Sequence, residues 1–333
     1  MQTMFQESSF NQNISSWNTA SVLRIDSMFR KTPFNQDISS WDVSSVTNMD
    51  YTFYLATSFN QPIDSWDVSG VTTMNSTLRS ARLFNQPLNN WNTSSVQNMG
   101  NMFSGASVFD QPLDSWNTSN VTNMQWMFGQ TPFNQDISSW DTSSVTRIDY
   151  MFYGTNAFNQ PIGSWNTSSV TNTSGMFLSS SAFNQPIDSW DTSSVTSMNN
   201  MFQSNAVFNQ PLNSWNTSSV TNMGYMFFQT LSFDQPLNNW DTSSVTNMSS
   251  VFALLPSFNQ PLNNWNTSSV TSMFQMFSQS VSFNGDISNW NTSNVTNMGS
   301  MFNGATGFNQ DISSWDVSNV TNMSYILIER SCS

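Results

Sequence analysis

Large apolar residues recur along the chain at fixed offsets, and the polar residues between them recur as regularly. Residues 201 to 225 show one unit: Met201 and Phe202, a loop, then Phe208, Leu212, Trp215, Val220 and Met223. Two periods lie inside it. Val220, Met223, Met226 and Phe227 are spaced by three, three and one, which predicts a short helix or 3₁₀ turn with one buried stripe. Phe208, Gln210 and Leu212 alternate, which predicts a short strand with one inward face. Between the two sits Trp-Asn-Thr-Ser-Ser or Trp-Asp-Thr-Ser-Ser, rich in turn and N-cap residues. The unit reads strand, turn, short helix, loop.

The register is set by Trp17, Trp41, Trp66, Trp91, Trp116, Trp140, Trp165, Trp190, Trp215, Trp240, Trp265, Trp290 and Trp315. The step is 25 residues, except at two 24-residue units where a proline shortens the loop before Phe34 and Phe133. Every methionine falls at the position of Met201 or of Met223, and almost every phenylalanine at that of Phe202 or Phe208. Such columns read as a core, with the pliable methionines filling gaps. A single unit is too short to bury these residues alone, so stacking must close the core. The prediction is one continuous solenoid over residues 1–333, of about 13 coils, each with one short parallel strand and one short helix or 3₁₀ turn. The repeat starts and stops mid-unit, as in a segment of a longer chain or assembly. One complication is the proline before Leu or Ile in eight units, such as Pro211, because it removes a strand donor.

Composition narrows the function. Aromatic residues make up 14% and charged residues 8%, which excludes a solvated, disordered chain. The net charge of −13 repels phosphate backbones, so no nucleic-acid partner is expected. No apolar run is long enough to span a bilayer. Cys332 is the only cysteine, and there is no histidine. A nucleophilic triad lacks its usual base. Phosphate-binding glycine motifs are absent, and no pair of carboxylates departs from the repeat. The chain is expected not to be an enzyme.

The stretch from Phe34 to Met49, followed by Phe53, resembles the repeats of BspA-like surface proteins, leucine-rich-repeat relatives first noted in mycoplasma lipoproteins. The resemblance runs the length of the chain. It implies a leucine-rich-repeat-like solenoid, an extracellular or cell-surface location and a role in adhesion, with no catalytic motif to carry over. The expected function is a rigid structural or adhesive element, or a fibre component. It would associate with itself end to end or side by side, or grip other surface proteins. The alternative is a module that binds glycan or protein through a repeated polar face, with ice binding behind it.

The polar positions offer candidates for each. Asn or Asp follows each of the thirteen tryptophans that set the register, and a hydrogen bond to the turn is their expected shared task. No cofactor is expected; calcium between neighbouring Asp residues is the one candidate, but no unit concentrates carboxylates as calcium requires. Asn92, Asn117, Asn166, Asn216, Asn266 and Asn291 begin Asn-Thr-Ser sequons and are candidate N-glycosylation sites. The next position is threonine in ten units, and an exposed threonine row would suit ice. Asn159, Asn184, Asn209 and Asn259 are expected to form an amide ladder that serves the scaffold or faces a glycan. Departures from the repeat mark candidate partner contacts: Arg79, Arg82, Trp126, Phe228, Leu254, Leu255 and Phe274.

Overall fold

A computed structural model describes residues 1–326; Leu327 and Cys332 lie outside the described residues. It divides into two compact units, Met1–Ser169 and Val170–Ser333. Within each, 24- or 25-residue coils stack on one another, as a repeat solenoid does.

The predicted strand and helix are both corrected. The described residues contain no helix and no extended strand. Backbone pairing is reduced to isolated parallel bridges, such as Asn98 with Asn123 in the first unit and Asn222 with Asn247 in the second. These bridges stand just before Met223 and its equivalents, where a helix was expected. The predicted strand from Phe208 to Leu212 makes no bridge.

The segment from Asn222 to Thr230 is a run of tight turns. Alternate N–H groups close turns three residues back, as in Met226 to Met223, Phe228 to Tyr225 and Thr230 to Phe227. The intervening ones donate to the next coil: Tyr225 to Ser249, Phe227 to Val251 and Gln229 to Ala253, at 2.8–3.1 Å. Every N–H from Met223 to Thr230 is satisfied, that of Gly224 by Asn222 Oδ1, as a buried backbone requires. Tyr225 and Gln229 hold φ of +59° and +60°. A turn with a left-handed third residue is of the type II kind. The spacing of three in the sequence is thus the spacing of turn bonds. A helix fails because every fourth residue leaves the right-handed region. The same two positions are left-handed in coil after coil, including Tyr51, Leu55, Trp126 and Leu254.

The core is the predicted one. Phe208, Leu212, Val220, Met223, Met226 and Phe227 are all buried, as are their counterparts Phe109, Leu113, Val121, Met124, Met127 and Phe128 in the first unit. The two phenylalanines of a coil stack face to face, 3.9 Å apart for Phe53 and Phe59 and 4.0 Å for Phe202 and Phe208. Tryptophans stack between coils, 6.5 Å apart for Trp41 and Trp66 and 6.4 Å for Trp215 and Trp240. Each inner indole also fastens its coil to the preceding one. Trp240 Nε1 donates to the Leu212 carbonyl at 2.9 Å, the same oxygen that accepts the Trp215 backbone N–H.

Candidate functional site

Each coil shows three kinds of surface, and they differ in what binds coil to coil. Along Phe208 to Leu212, side chains form the link. Asn209 Oδ1 accepts the Asp234 backbone N–H and Gln235 Nε2 of the next coil, both at 3.0 Å. In the first unit Asn35 Oδ1 accepts the Asn60 N–H and Gln61 Nε2, both at 2.9 Å. Pro211 lies on this stretch, where no backbone ladder runs, so its missing donor disrupts nothing.

The segment after tryptophan is fixed in the same manner. Asn216 Oδ1 accepts the Ser218 N–H and hydroxyl two residues on. Thr217 Oγ1 donates to the Asp241 carbonyl of the next coil, and Ser219 Oγ to the Ser193 carbonyl of the preceding one. Where aspartate replaces asparagine, the turn lowers its carboxyl pKa. For Asp141, Asp191 and Asp241 the first cause is the hydroxyl of the serine two residues on, followed by that serine's N–H.

The turn run differs. There the backbone carries most of the links between coils, with side-chain links such as Asn247 Nδ2 to Asn222 Oδ1 beside them, and fewer outward side chains are tied. The position of Phe228 holds Arg30, Tyr54, Arg79 and Ser104 in the first unit, and Gln203, Phe228, Ala253 and Ser278 in the second. This is the variable face of each unit. Arg30 and Arg79, from the coils on either side, place their guanidiniums 5.5 and 5.6 Å from the Tyr54 ring centre. Trp126 stacks on Tyr150 at 4.6 Å and meets the edge of Tyr153 at 5.1 Å. A Cβ at Gly129 would come within 3.1 Å of the Trp126 ring, so this glycine makes room for it. In the second unit Asn199, Asn200, Gln203, Asn222, Tyr225 and Asn247 line an open groove of about 350 Å³.

The candidates named from sequence sort onto these surfaces. Arg79, Trp126, Phe228, Leu254 and Phe274 all lie on the turn run, half-buried, and Arg82 is exposed on the loop that follows. Leu255 is corrected: it is fully buried, a core residue where Ala56 and Ala106 stand in the first unit. Asn159, Asn209 and Asn259 give a backbone or side-chain amide to the preceding coil or accept one from the next, and Asn184 accepts from both Asn209 and Gln210. They serve the scaffold. Asn92, Asn117, Asn166, Asn216, Asn266 and Asn291 are exposed, and each accepts its own turn N–H through Oδ1. The threonine row proposed for ice is corrected too: Thr93, Thr118, Thr217 and Thr242 are buried, with hydroxyls spent on the next coil. Tyr54, Tyr153, Asn199, Asn200 and Gln203 escaped sequence reasoning. Their signal was the unusual variety of residue types at their positions. Among the described residues no helix is long and apolar enough to cross a membrane.

The profile of the family described as "Mycoplasma protein of unknown function, DUF285" matches the chain six times in overlapping stretches, over residues 1–91, 60–163, 111–204, 146–253, 186–279 and 228–331. The chain belongs to this family. DUF285 units thus account for nearly its whole length. No curated protein matches it. Among solved structures, it is similar to the chain in the "Crystal structure of TLR13-ssRNA13 complex", at 9% identity and a TM-score of 0.26. That match covers 83% of this chain and 45% of the other, and so distant a likeness carries no weight for fold or ligand.

Proposed function

We propose that this DUF285 chain is a non-enzymatic recognition scaffold, extracellular or on a cell surface, whose turn-run face makes adhesive contacts. One observation carries the reading. Positions that vary between coils gather on the half-buried turn run and on the exposed loop that follows it, as at Phe228 and at Arg82, Leu231 and Val281, while most polar positions elsewhere repeat because the fold uses them. Thr221, for instance, is exposed yet recurs as Thr196 and Thr246, because its hydroxyl donates to the preceding coil at 3.2 Å. Variation without structural need, on one face, suits surfaces that meet different chemistries. The resemblance to BspA-like surface proteins supports the location and the adhesive role. Repetition adds area, so that weak contacts sum through multivalency. The absence of histidine and the commitment of the aspartates to local turns support a role without catalysis.

The test is retention of the full chain on intact cells of the source organism and on immobilised extracellular polysaccharide and protein. Substituting alanine for Arg79, Tyr153, Gln203 and Phe228 together should cut retention about tenfold. Changing Asp141, Asp191 and Asp241 to asparagine should leave it unchanged. Equal loss in both sets, or loss only in the second, overturns the reading.

A further inference from the structure

The groove in the second unit gathers three unused amides, those of Asn199, Asn200 and Gln203, around one tyrosine hydroxyl. Most asparagines and glutamines elsewhere work for the fold, through turn bonds at Asn216 and ladders at Asn209 and Gln210. A second open hollow, around Ser288, Asn289 and Asp311, illustrates this. Asn289 Nδ2 donates to the Asn263 carbonyl, Ser288 donates to Asp286, and Asp311 accepts the Ser313 N–H. In the groove, by contrast, the side-chain amides of Asn199, Asn200 and Gln203 and the Tyr225 hydroxyl have no hydrogen-bond partner among the described residues.

The backbone that carries two of these groups is fixed. Asn200 and Tyr225 occupy left-handed positions, at φ +59° each, on successive coils. Their N–H groups bond to the Gly224 and Ser249 carbonyls at 3.0 and 2.8 Å. The floor is the Asn222–Asn247 amide pair, Nδ2 to Oδ1 at 3.1 Å. Gly224 leaves room for it, since a Cβ there would come within 2.8 Å of Asn247 Nδ2. Phe228 packs 5.7 Å from the Tyr225 ring and gives the groove an apolar shoulder.

We infer that this groove binds a neutral glycan, through one or two pyranose rings. The inference rests on the turn run being the recognition face. A pyranose hydroxyl both donates and accepts, and a side-chain amide answers both needs with its NH₂ and its oxygen. The C–H face of the sugar packs against the tyrosine ring, which offers an apolar surface with a polar tip. No charged residue lines the groove, and the net charge of −13 disfavours an anionic ligand. A protein partner would need a desolvated pocket for an aromatic or arginine anchor, which an open row of amides does not supply.

The experiment is affinity electrophoresis of the full chain through native gels containing dextran, yeast mannan, galactomannan, arabinoxylan or, as a protein probe, gelatin. At least one neutral polysaccharide should retard it. Asn200→Gly with Gln203→Ala should weaken that retardation at least about fivefold. Glycine keeps the left-handed backbone, so the thermal midpoint should hold. Tyr225→Phe, which removes only the hydroxyl, should weaken it to a smaller degree. No retardation by any of the four polysaccharides, stronger retardation by gelatin, or unchanged retardation in the groove variants overturns the assignment. Loss in Arg30→Ala with Arg79→Ala instead moves binding to the first unit, which overturns the groove and spares the turn-run face. Retardation indifferent to both pairs overturns the two together.

Discussion

The stretch from Phe208 to Leu212 and the turn run from Asn222 to Thr230 solve one problem in opposite ways. Both must bind one coil to the next. In the first, Asn209 and Gln210 do so with side chains, and the words Phe-Asn-Gln or Phe-Asp-Gln recur almost without exception. In the second, the backbone does so, and the side chains at Tyr225 and Phe228 are free to differ from coil to coil. Where side chains hold the stack, the sequence is constrained; where the main chain holds it, the sequence can diversify. The proposed recognition face is of the second kind.

The comparison can be broken most severely through the column both surfaces share. Trp240→Ala should cost about 3–5 kcal/mol, by cavity formation and by loss of the indole bond to Leu212. Chemical denaturation should show it, and a cost below 1 kcal/mol would mean that the stacked indoles are not the core. Next, Asn209→Ala should cost about 1–3 kcal/mol, since the Asp234 N–H and Gln235 amide lose their acceptor. Asn60→Asp, flanked by Asn35 and Asn85, should be nearly neutral, because Asp110 and Asp234 already accept from the next coil at that position. An equal cost for both variants would remove the side-chain ladder from the account.

On the turn run, Ser204→Gly should stabilise by roughly 0.5–1 kcal/mol, because φ is +57° there. The gain is partly offset by the freer unfolded chain. A loss would show that the left-handed backbone is not the resting state. Acid should act on the segment after tryptophan. The turn-bound carboxyls of Asp141, Asp191 and Asp241 have folded pKa values below their unfolded ones, so their contribution is full above about pH 4. It fades as pH falls through the lower, folded values. The urea midpoint should therefore drop below pH 4, and less so when all three are asparagine. Smallest of all, Phe228→Ala should change stability by no more than about 0.5 kcal/mol, the size expected of a surface substitution.

Much of this architecture was legible in the residues. Trp215, Phe202 and Met223 announced a stacked core by recurring at one interval, and the Asn-or-Asp exchange after tryptophan announced a shared turn bond. The local backbone was not legible, for a physical reason. Tyrosine, tryptophan and leucine seldom adopt positive φ, so nothing about Tyr225, Trp126 or Leu254 signals a left-handed turn. The bonds from coil to coil impose it against local preference. The alternation of Phe208, Gln210 and Leu212 suggested a strand because Gln210 does point away from the core, but toward a neighbouring asparagine and not along a ladder. Leu255 looked like a surface departure because small residues usually fill its place. The groove was hidden because nothing in the sequence separates an amide without a partner from one that the fold uses.

The one-way hydrogen bonding of the turn run has a genetic corollary. Within each unit a coil presents N–H groups to its successor and carbonyls to its predecessor, so any coil fits against any other as an interchangeable part. Unequal crossing-over inside the gene can then insert, delete or shuffle whole repeats without disturbing the joints. New surface chemistry can be assembled by rearranging existing modules, with no wait for point mutations at a single site.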